Sequence, residues 1–250
     1  MSFLEEGYEV WHLGNKAIGY ATMAKMLLQK ALGKALEEYA DGDIERHAAA
    51  AMEVAYIPKA IITAERKSFQ ELLGADLHIQ RQPFLRISRP GIAEDNIGLH
   101  RDTWYGDTPH EISVWIPFTD TCEGNALRVA PGSHLWSEAA HPVERFDGGV
   151  EKGSVKHSLG FIHGQPKRLA VPHHTVPLPV RVGQMIVFSL ALLHGVEVNK
   201  SARTRVSMDV RLTNSFAPVK FSRSRDEHYY EPLFRSTVSE VAARYYEAQK

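Results

Sequence analysis

Two short stretches, Gly98-Leu99-His100-Arg101-Asp102 and the distant Leu193-His194-Gly195, decide how this chain is read. Side chains of an extended segment alternate with period two, so His100 and Asp102 project to one side of a β-strand or of its fraying end. They can therefore grip one ion together. A third ligand has to come from elsewhere, and His194 stands 92 residues after Asp102, shortly past the apolar run Met185-Ile186-Val187-Phe188.

Working outward, the residues after Gly74 form short β-type runs separated by Pro, Gly, Asp and Asn. They are Leu77 to Gln80, Phe84 to Ser88, Ile112 to Phe118, Ala126 to Val129, Arg168 to Val171, Gln184 to Phe188 and Ser207 to Leu212. Many short strands with turn signals suggest a sandwich or barrel. Before Gly74 the texture is helical. Ile18, Met23, Met26, Leu27, Leu32, Ala35 and Leu36 recur mostly at three- and four-residue steps, which predicts an amphipathic helix from about Lys16 to Tyr39. A second helical stretch runs from Ile44 to about Leu73, with Pro58 as a kink or a new first turn. Met23, Met26 and Met52 are expected in the core. Thr237-Val238-Ser239-Glu240 has capping-box spacing and opens a last helix, to about residue 249, with Val238, Val241, Ala242 and Tyr245 on one side. The expectation is one domain over 1–250: helices about 16–73, a mainly β core about 76–215, and flanking helix about 237–249. Glu138 to Pro179, rich in Gly, Pro and His, reads as an insertion and a candidate lid.

Composition bounds the partners. With 29 basic against 30 acidic residues no global field draws in nucleic acid or an anionic membrane, so a small-molecule partner is expected. Cys122 is the single cysteine, which excludes an internal disulfide and a Cys-rich zinc site. No apolar run approaches the roughly 18 residues of a membrane span, and Glu5 and Glu6 stand where a signal peptide would be basic. A cytoplasmic location is the expectation. No G-x-G-x-x-G opens a helix and no P-loop is present, so nucleotide folds are unsupported.

The chemistry narrows further at the ligands. Two His and one carboxylate on one face of a metal, with the opposite positions open, suit non-haem Fe(II) oxygenases. Arg205 lies eleven residues after His194, across the turn Asn199-Lys200-Ser201. If its strand runs beside the one ending near His194, its guanidinium reaches the same cavity. A buried Arg demands an anion, either a protein carboxylate or a dicarboxylate cosubstrate held bidentately.

These residues together resemble the phytanoyl-CoA hydroxylase-like (PhyH) group of Fe(II)/2-oxoglutarate-dependent dioxygenases. The resemblance extends through Val114-Trp115-Ile116-Pro117-Phe118, Gly124-Asn125-Ala126-Leu127-Arg128-Val129, the Pro131-Gly132-Ser133-His134 turn and Val182 to Phe188, with Gln184 where Asp is more usual. It covers roughly residues 76 to 215. It implies a double-stranded β-helix of the jelly-roll or cupin type. It also implies Fe(II) on His100, Asp102 and His194, and 2-oxoglutarate on Arg205. The family reaction consumes 2-oxoglutarate and O₂, releases succinate and CO₂, and usually leaves a hydroxyl on a substrate C–H. Halogenating relatives lack the carboxylate ligand, so Asp102 favours hydroxylation or another oxidative outcome over halogenation.

Around that centre, Trp115 and Gln82 are candidates for the cosubstrate pocket. Arg86, Arg89, Trp104, Tyr105 and His174 are candidates for substrate contact. Arg101, between the ligands, is expected to face away from the metal, on the surface or lid. The substrate expected is a small polar metabolite, with a sugar-bearing or natural-product compound as the narrower guess. Two other readings stand beside this one: a cupin-type metalloenzyme that uses no 2-oxoglutarate and has no need of Arg205, and a catalytically silent β-barrel that binds a ligand.

Overall fold

The structure is a computed structural model and describes residues 2–218 and 229–249. The polar stretch Ser222 to Asp226 lies outside the described residues. In chain order the elements are α1 (Phe3–Glu6), β1 (Tyr8–His12), α2 (Asn15–Leu32), α3 (Ile44–Val54), α4 (Ile57–Ala64) and α5 (Arg66–Leu73). Next come β2 (Leu77–Gln80), β3 (Phe84–Ser88), β4 (Glu111–Pro117), β5 (Leu127–Val129), β6 (Val143–Arg145), α6 (Val155–Ser158) and β7 (Lys167–Leu169). The chain continues with β8 (Val176–Leu178), β9 (Gln184–Ser189), β10 (His194–Gly195), β11 (Arg205–Asn214), β12 (Tyr230–Phe234) and α7 (Thr237–Glu247).

Strand β11 is the axis. It pairs antiparallel with β4 along one edge, and along the other with β3 beside its first half and β2 beside its end. The sheet extends through β9 to β1 on one side and through β2 to β12 on the other. Residue character alternates along β11. Val206, Met208, Val210 and Leu212 join Ala17, Ala21, Leu28, Ile57, Ile61 and Phe69 in one buried apolar cluster, so this face of the sheet is covered by α2 to α5. Arg205, Asp209 and Arg211 face the other way and line cavities. A second sheet, β10-β5-β8, closes over that polar face. Its Leu127, Val129 and Leu178 pack with Trp115, Ile186 and Phe188 of the large sheet. The result is a mainly β double-stranded β-helix with helices on its outside.

Several expectations need correction. The first long helix stops at Leu32, because Gly33 at φ 77° takes the left-handed cap, and Leu36–Glu38 is a separate 3₁₀ turn. The stretch from Ile44 to Leu73 is three helices, with Pro58 in the first turn of α4, where its missing N–H costs nothing. Met26 and Met52 are exposed rather than in the core. The last helix is capped by Ser236, whose Oγ accepts from the Ser239 N–H, so Thr237 is already helical. None of its residues is buried. Gln184 closes its turn by accepting from the Arg181 N–H at 2.8 Å.

Candidate active site

The segment bearing His100 and the segment bearing His194 pair directly. The His100 N–H donates to the His194 carbonyl at 2.8 Å, and the His194 N–H returns the bond at 2.9 Å. Each imidazole then uses its own backbone to set its tautomer. Nδ1 of His100 lies 2.7 Å from the Gly98 carbonyl, and Nδ1 of His194 lies 2.9 Å from the Leu192 carbonyl. A carbonyl only accepts, so both Nδ1 atoms carry a proton, and Nε2 is the atom each ring can offer to a metal. Both Nε2 atoms face Asp102, at 3.4 Å for His100 and 3.9 Å for His194. Asp102 opens a 3₁₀ turn, Asp102–Tyr105, rather than continuing a strand. One potential ligand atom from each of the three residues lies within 4.8 Å of the others, and all three residues are buried.

The charges suit a cation. Burial, and secondarily the neighbouring His100, pushes His194 down to about 4, so it is a neutral donor near pH 7. Burial opposes the charge on Asp102, yet its carboxyl is held well below its usual range, with the Arg211 guanidinium the strongest of the groups that lower it. Arg211 donates from Nη2 to Asp102 at 3.1 Å and from Nη1 to the Tyr229 hydroxyl at 2.8 Å. Its Nε lies 3.5 Å from Asp107.

Two cavities meet at this cluster. The inner one runs past Trp115, Leu127 and Phe188 to Arg205. The outer cleft, about 670 Å³, is walled by Trp104, Tyr105 and residues of the insertion, including Phe161 and His163; the end of the expected 138–179 insertion, Val176–Leu178, is instead strand β8 of the second sheet. His100, Asp102, Arg86 and Arg211 line both. At the end of the inner cavity Arg205 is 2% exposed, and among the described residues no carboxylate pairs with it. Its Nη1 donates to the Asn125 carbonyl at 3.2 Å, its Nε has no partner, and its guanidinium carbon stands 5.6 Å from the Trp115 ring. Burial, aided by Arg86, pushes Arg205 down to about 10, still a cation near pH 7.

Sequence expectations divide against this geometry. His100, Asp102, His194, Arg205 and Trp115 come together. Arg86 reaches both cavities but is neutralised by Asp209 through contacts of 2.7 and 3.3 Å. Three candidates lie elsewhere. Gln82 is exposed, and its backbone carbonyl accepts from Gln80. Arg89 is held by Asp95 at 2.7 and 2.9 Å and lines neither cavity. His174 is exposed and lines neither. Arg101 does face away from the triad but is 4% exposed, donating to the Ser133 carbonyl at 2.7 Å. Ser133 Oγ accepts from the Leu193 N–H at 2.8 Å, so one turn braces both His-bearing segments. Arg211 and Asp209 went unread in the sequence, although both share the alternation that points Arg205 inward.

The profile of the phytanoyl-CoA dioxygenase (PhyH) family matches residues 35–207, more than half of the chain. The chain belongs to the phytanoyl-CoA dioxygenase family. As a member it is a non-haem iron, 2-oxoglutarate-dependent oxygenase, with O₂ as the other reactant. No curated protein matches it by sequence. Solved structures share the fold. The non-haem monooxygenase ThoJ in its apo form has a TM-score of 0.57 at 22% identity, over 85% of this chain and 75% of that one. EvdO2 from Micromonospora carbonacea var. aurantiaca, complexed with 2-oxoglutarate, gives 0.56 at 14%, over 85% and 88%. SnoN, a non-haem α-ketoglutarate-dependent epimerase from nogalamycin biosynthesis, gives 0.52 at 12%, over 94% of each chain. The family's cofactors fit what is present here. Two imidazole Nε2 atoms and a carboxylate with open positions beyond them suit ferrous iron. An unpaired, buried guanidinium in the adjoining cavity suits a dicarboxylate.

Proposed function

We propose that this oxygenase oxidises an unactivated C–H of a small polar metabolite, with His100, Asp102 and His194 holding Fe(II) and Arg205 holding the far carboxylate of 2-oxoglutarate. The observation that carries this reading is Arg205 itself. A desolvated cation with an orphaned Nε is costly unless an anion completes it, and the cavity it faces opens on the triad. The same observation weighs against a cupin without 2-oxoglutarate, which has no use for such a residue. A silent binding module has no evident need of three converging ligand groups.

The chain's own residues bind and orient. Gly98 and Leu192 carbonyls keep the Nδ1 protons in place, so both Nε2 atoms stay available as donors. Arg211 keeps Asp102 ionised and fixes its rotation. Trp115 gives the cosubstrate stem a flat apolar wall beneath the guanidinium. When bound, iron and 2-oxoglutarate supply the oxidising chemistry, O₂ giving one oxygen atom to succinate and the other to a hydroxyl on the substrate, with loss of CO₂. The outer cleft, with Trp104, Tyr105 and the insertion around it, is the substrate's side. Its mixture of rings and polar groups supports a polar, sugar-bearing or natural-product compound. Hydroxylation is the outcome proposed, because Asp102 occupies the position that a halide would need.

The test is Arg205→Ala. Losing a charge-assisted hydrogen bond costs about 1.5–3 kcal/mol, so 2-oxoglutarate should bind roughly 10- to 100-fold more weakly. Anaerobic titration should show loss of the iron-to-cosubstrate charge-transfer band at matched ligand, with iron binding retained. Undiminished succinate formation in the variant would overturn the cosubstrate assignment.

A further inference from the structure

The outer cleft carries more positive charge than its own acids neutralise. Strands β6 and β7 place Arg145 directly opposite Lys167 in their register, and both line the cleft. Like charges facing each other across an antiparallel pair repel. Of the nearby acids, Asp102 and Asp107 face Arg211, Glu144 holds Arg168, and Glu138 favours the charge on Lys167 without forming an ion pair with it. Arg86, the other cation at the cleft's inner edge, is already matched by Asp209. Arg145 is exposed and, among the described residues, forms no ion pair. The closest contacts of Lys167 are neutral. Its Nζ donates to the Trp104 carbonyl at 2.7 Å and stands 5.9 Å from the centre of the Tyr105 ring. Burial, together with Arg145, lowers its pKa, and Glu138 only partly opposes them.

This pair is also close to the chemistry. The Lys167 backbone N–H donates to the Tyr105 hydroxyl at 2.7 Å, and the Tyr105 ring lies 6.0 Å from that of His100. One aromatic ring therefore separates the cationic pair from the triad. His157 and His163, edge to face at 4.8 Å, line the same cleft and offer further donors.

We propose that Arg145 and Lys167 recognise an oxyanion, a phosphate ester or a carboxylate, carried by the primary substrate. The guanidinium offers a planar fork, and the ammonium offers a point charge beside it. The substrate is then an anionic metabolite, its charged end on the β6–β7 hairpin and its reacting carbon beyond Tyr105. The proposal rests on the oxygenase reading in that it takes the outer cleft as the substrate's side.

The test uses Fe(II)- and 2-oxoglutarate-loaded protein under anaerobic conditions, with phenyl phosphate, benzoate and phenol as probes that share one ring and differ in charge. Calorimetric titration should show phenyl phosphate or benzoate binding at least about tenfold more tightly than phenol, and more weakly as salt is raised. Arg145→Glu should abolish that preference, Lys167→Met should reduce it about tenfold or more, and Arg145→Lys should restore part of it relative to the charge reversal. Tighter binding of phenyl phosphate identifies a phosphate-bearing substrate, and tighter binding of benzoate a carboxylate-bearing one. No preference over phenol, or a preference that survives Arg145→Glu, overturns the proposal. Failure of the oxygenase reading would look different: wild-type protein would show no charge-transfer band with 2-oxoglutarate, whatever the probes do.

Discussion

Asp102 is the only carboxylate in the triad, and its ionisation depends on a neighbour that no metal motif contains. Arg211 donates to it at 3.1 Å and is the strongest of the groups that offset the cost of burial. Replacing Arg211 with Met removes the cation while keeping most of the stem, so the Asp102 carboxyl should take up a proton at higher pH. Metal titrations of Arg211→Met, followed against pH with Co(II) as a spectroscopic probe, should show the acid limb of binding displaced upward. An unchanged limb would mean that Arg211 has no hold on the ligand. Residue identity in the sequence was informative for groups that converge by short-range logic. His100 and Asp102 are two apart, and the interval from His194 to Arg205 matches a known pattern. Gln82, Arg89 and His174 misled because polarity near a motif does not fix direction. Each is settled by contacts across the fold: Arg89 by Asp95, Gln82 by solvent and its own turn, His174 by the surface of the insertion. Arg101 was misplaced for the converse reason. A charged side chain pointing away from a site need not be exposed when buried carbonyls, such as that of Ser133, accept its donors.

Between elements, the triad depends on how closely two backbones approach. A Cβ added at Gly195 would lie 2.8 Å from the Gly98 carbonyl oxygen and 2.9 Å from the Leu99 Cα, both backbone atoms that cannot swing aside. Gly195→Ala should therefore push apart the His100 and His194 segments and lengthen their paired hydrogen bonds. We expect about a 10- to 100-fold loss of Fe(II) or Co(II) affinity, the scale seen when support behind metal ligands is removed. Circular dichroism should show the β core retained. Metal affinity equal to wild type would show that the strands can part without moving the ligands. At this scale the strands with regular alternation were legible. Leu77–Gln80 and Phe84–Ser88 coincide with their sequence bounds, and Gln184–Ser189 differs by one residue. Tyr8–His12 and Tyr230–Phe234 were not foreseen, because each is short and takes its strand character from pairing with β9 and β2. The helix ends slipped where Gly33 and Pro58 overrode apolar spacing.

For the whole molecule, burial inside the β-helix leaves two titrating groups with opposite effects on stability. Burial pushes Glu111 up from 4.5 to about 7 despite Arg211 nearby. Across that window the folded protein keeps a proton that the unfolded chain has released, so Glu111 makes stability fall as pH rises. His194 goes the other way. Pushed from 6.5 to about 4, it refuses a proton that the unfolded chain accepts, so in metal-free protein it makes stability rise with pH over that range. The slopes oppose each other between 4.5 and 6.5, each by at most about 1.4 kcal/mol per pH unit. The paired variants separate them. Urea midpoints of metal-free Glu111→Gln should gain on wild type as pH rises through this window, and those of His194→Asn should gain as it falls. Loading the wild type with metal should steepen its rise with pH, because metal on His194 competes with its proton and binds only the folded state. Parallel profiles for wild type and both variants would show that neither group titrates differently in the fold.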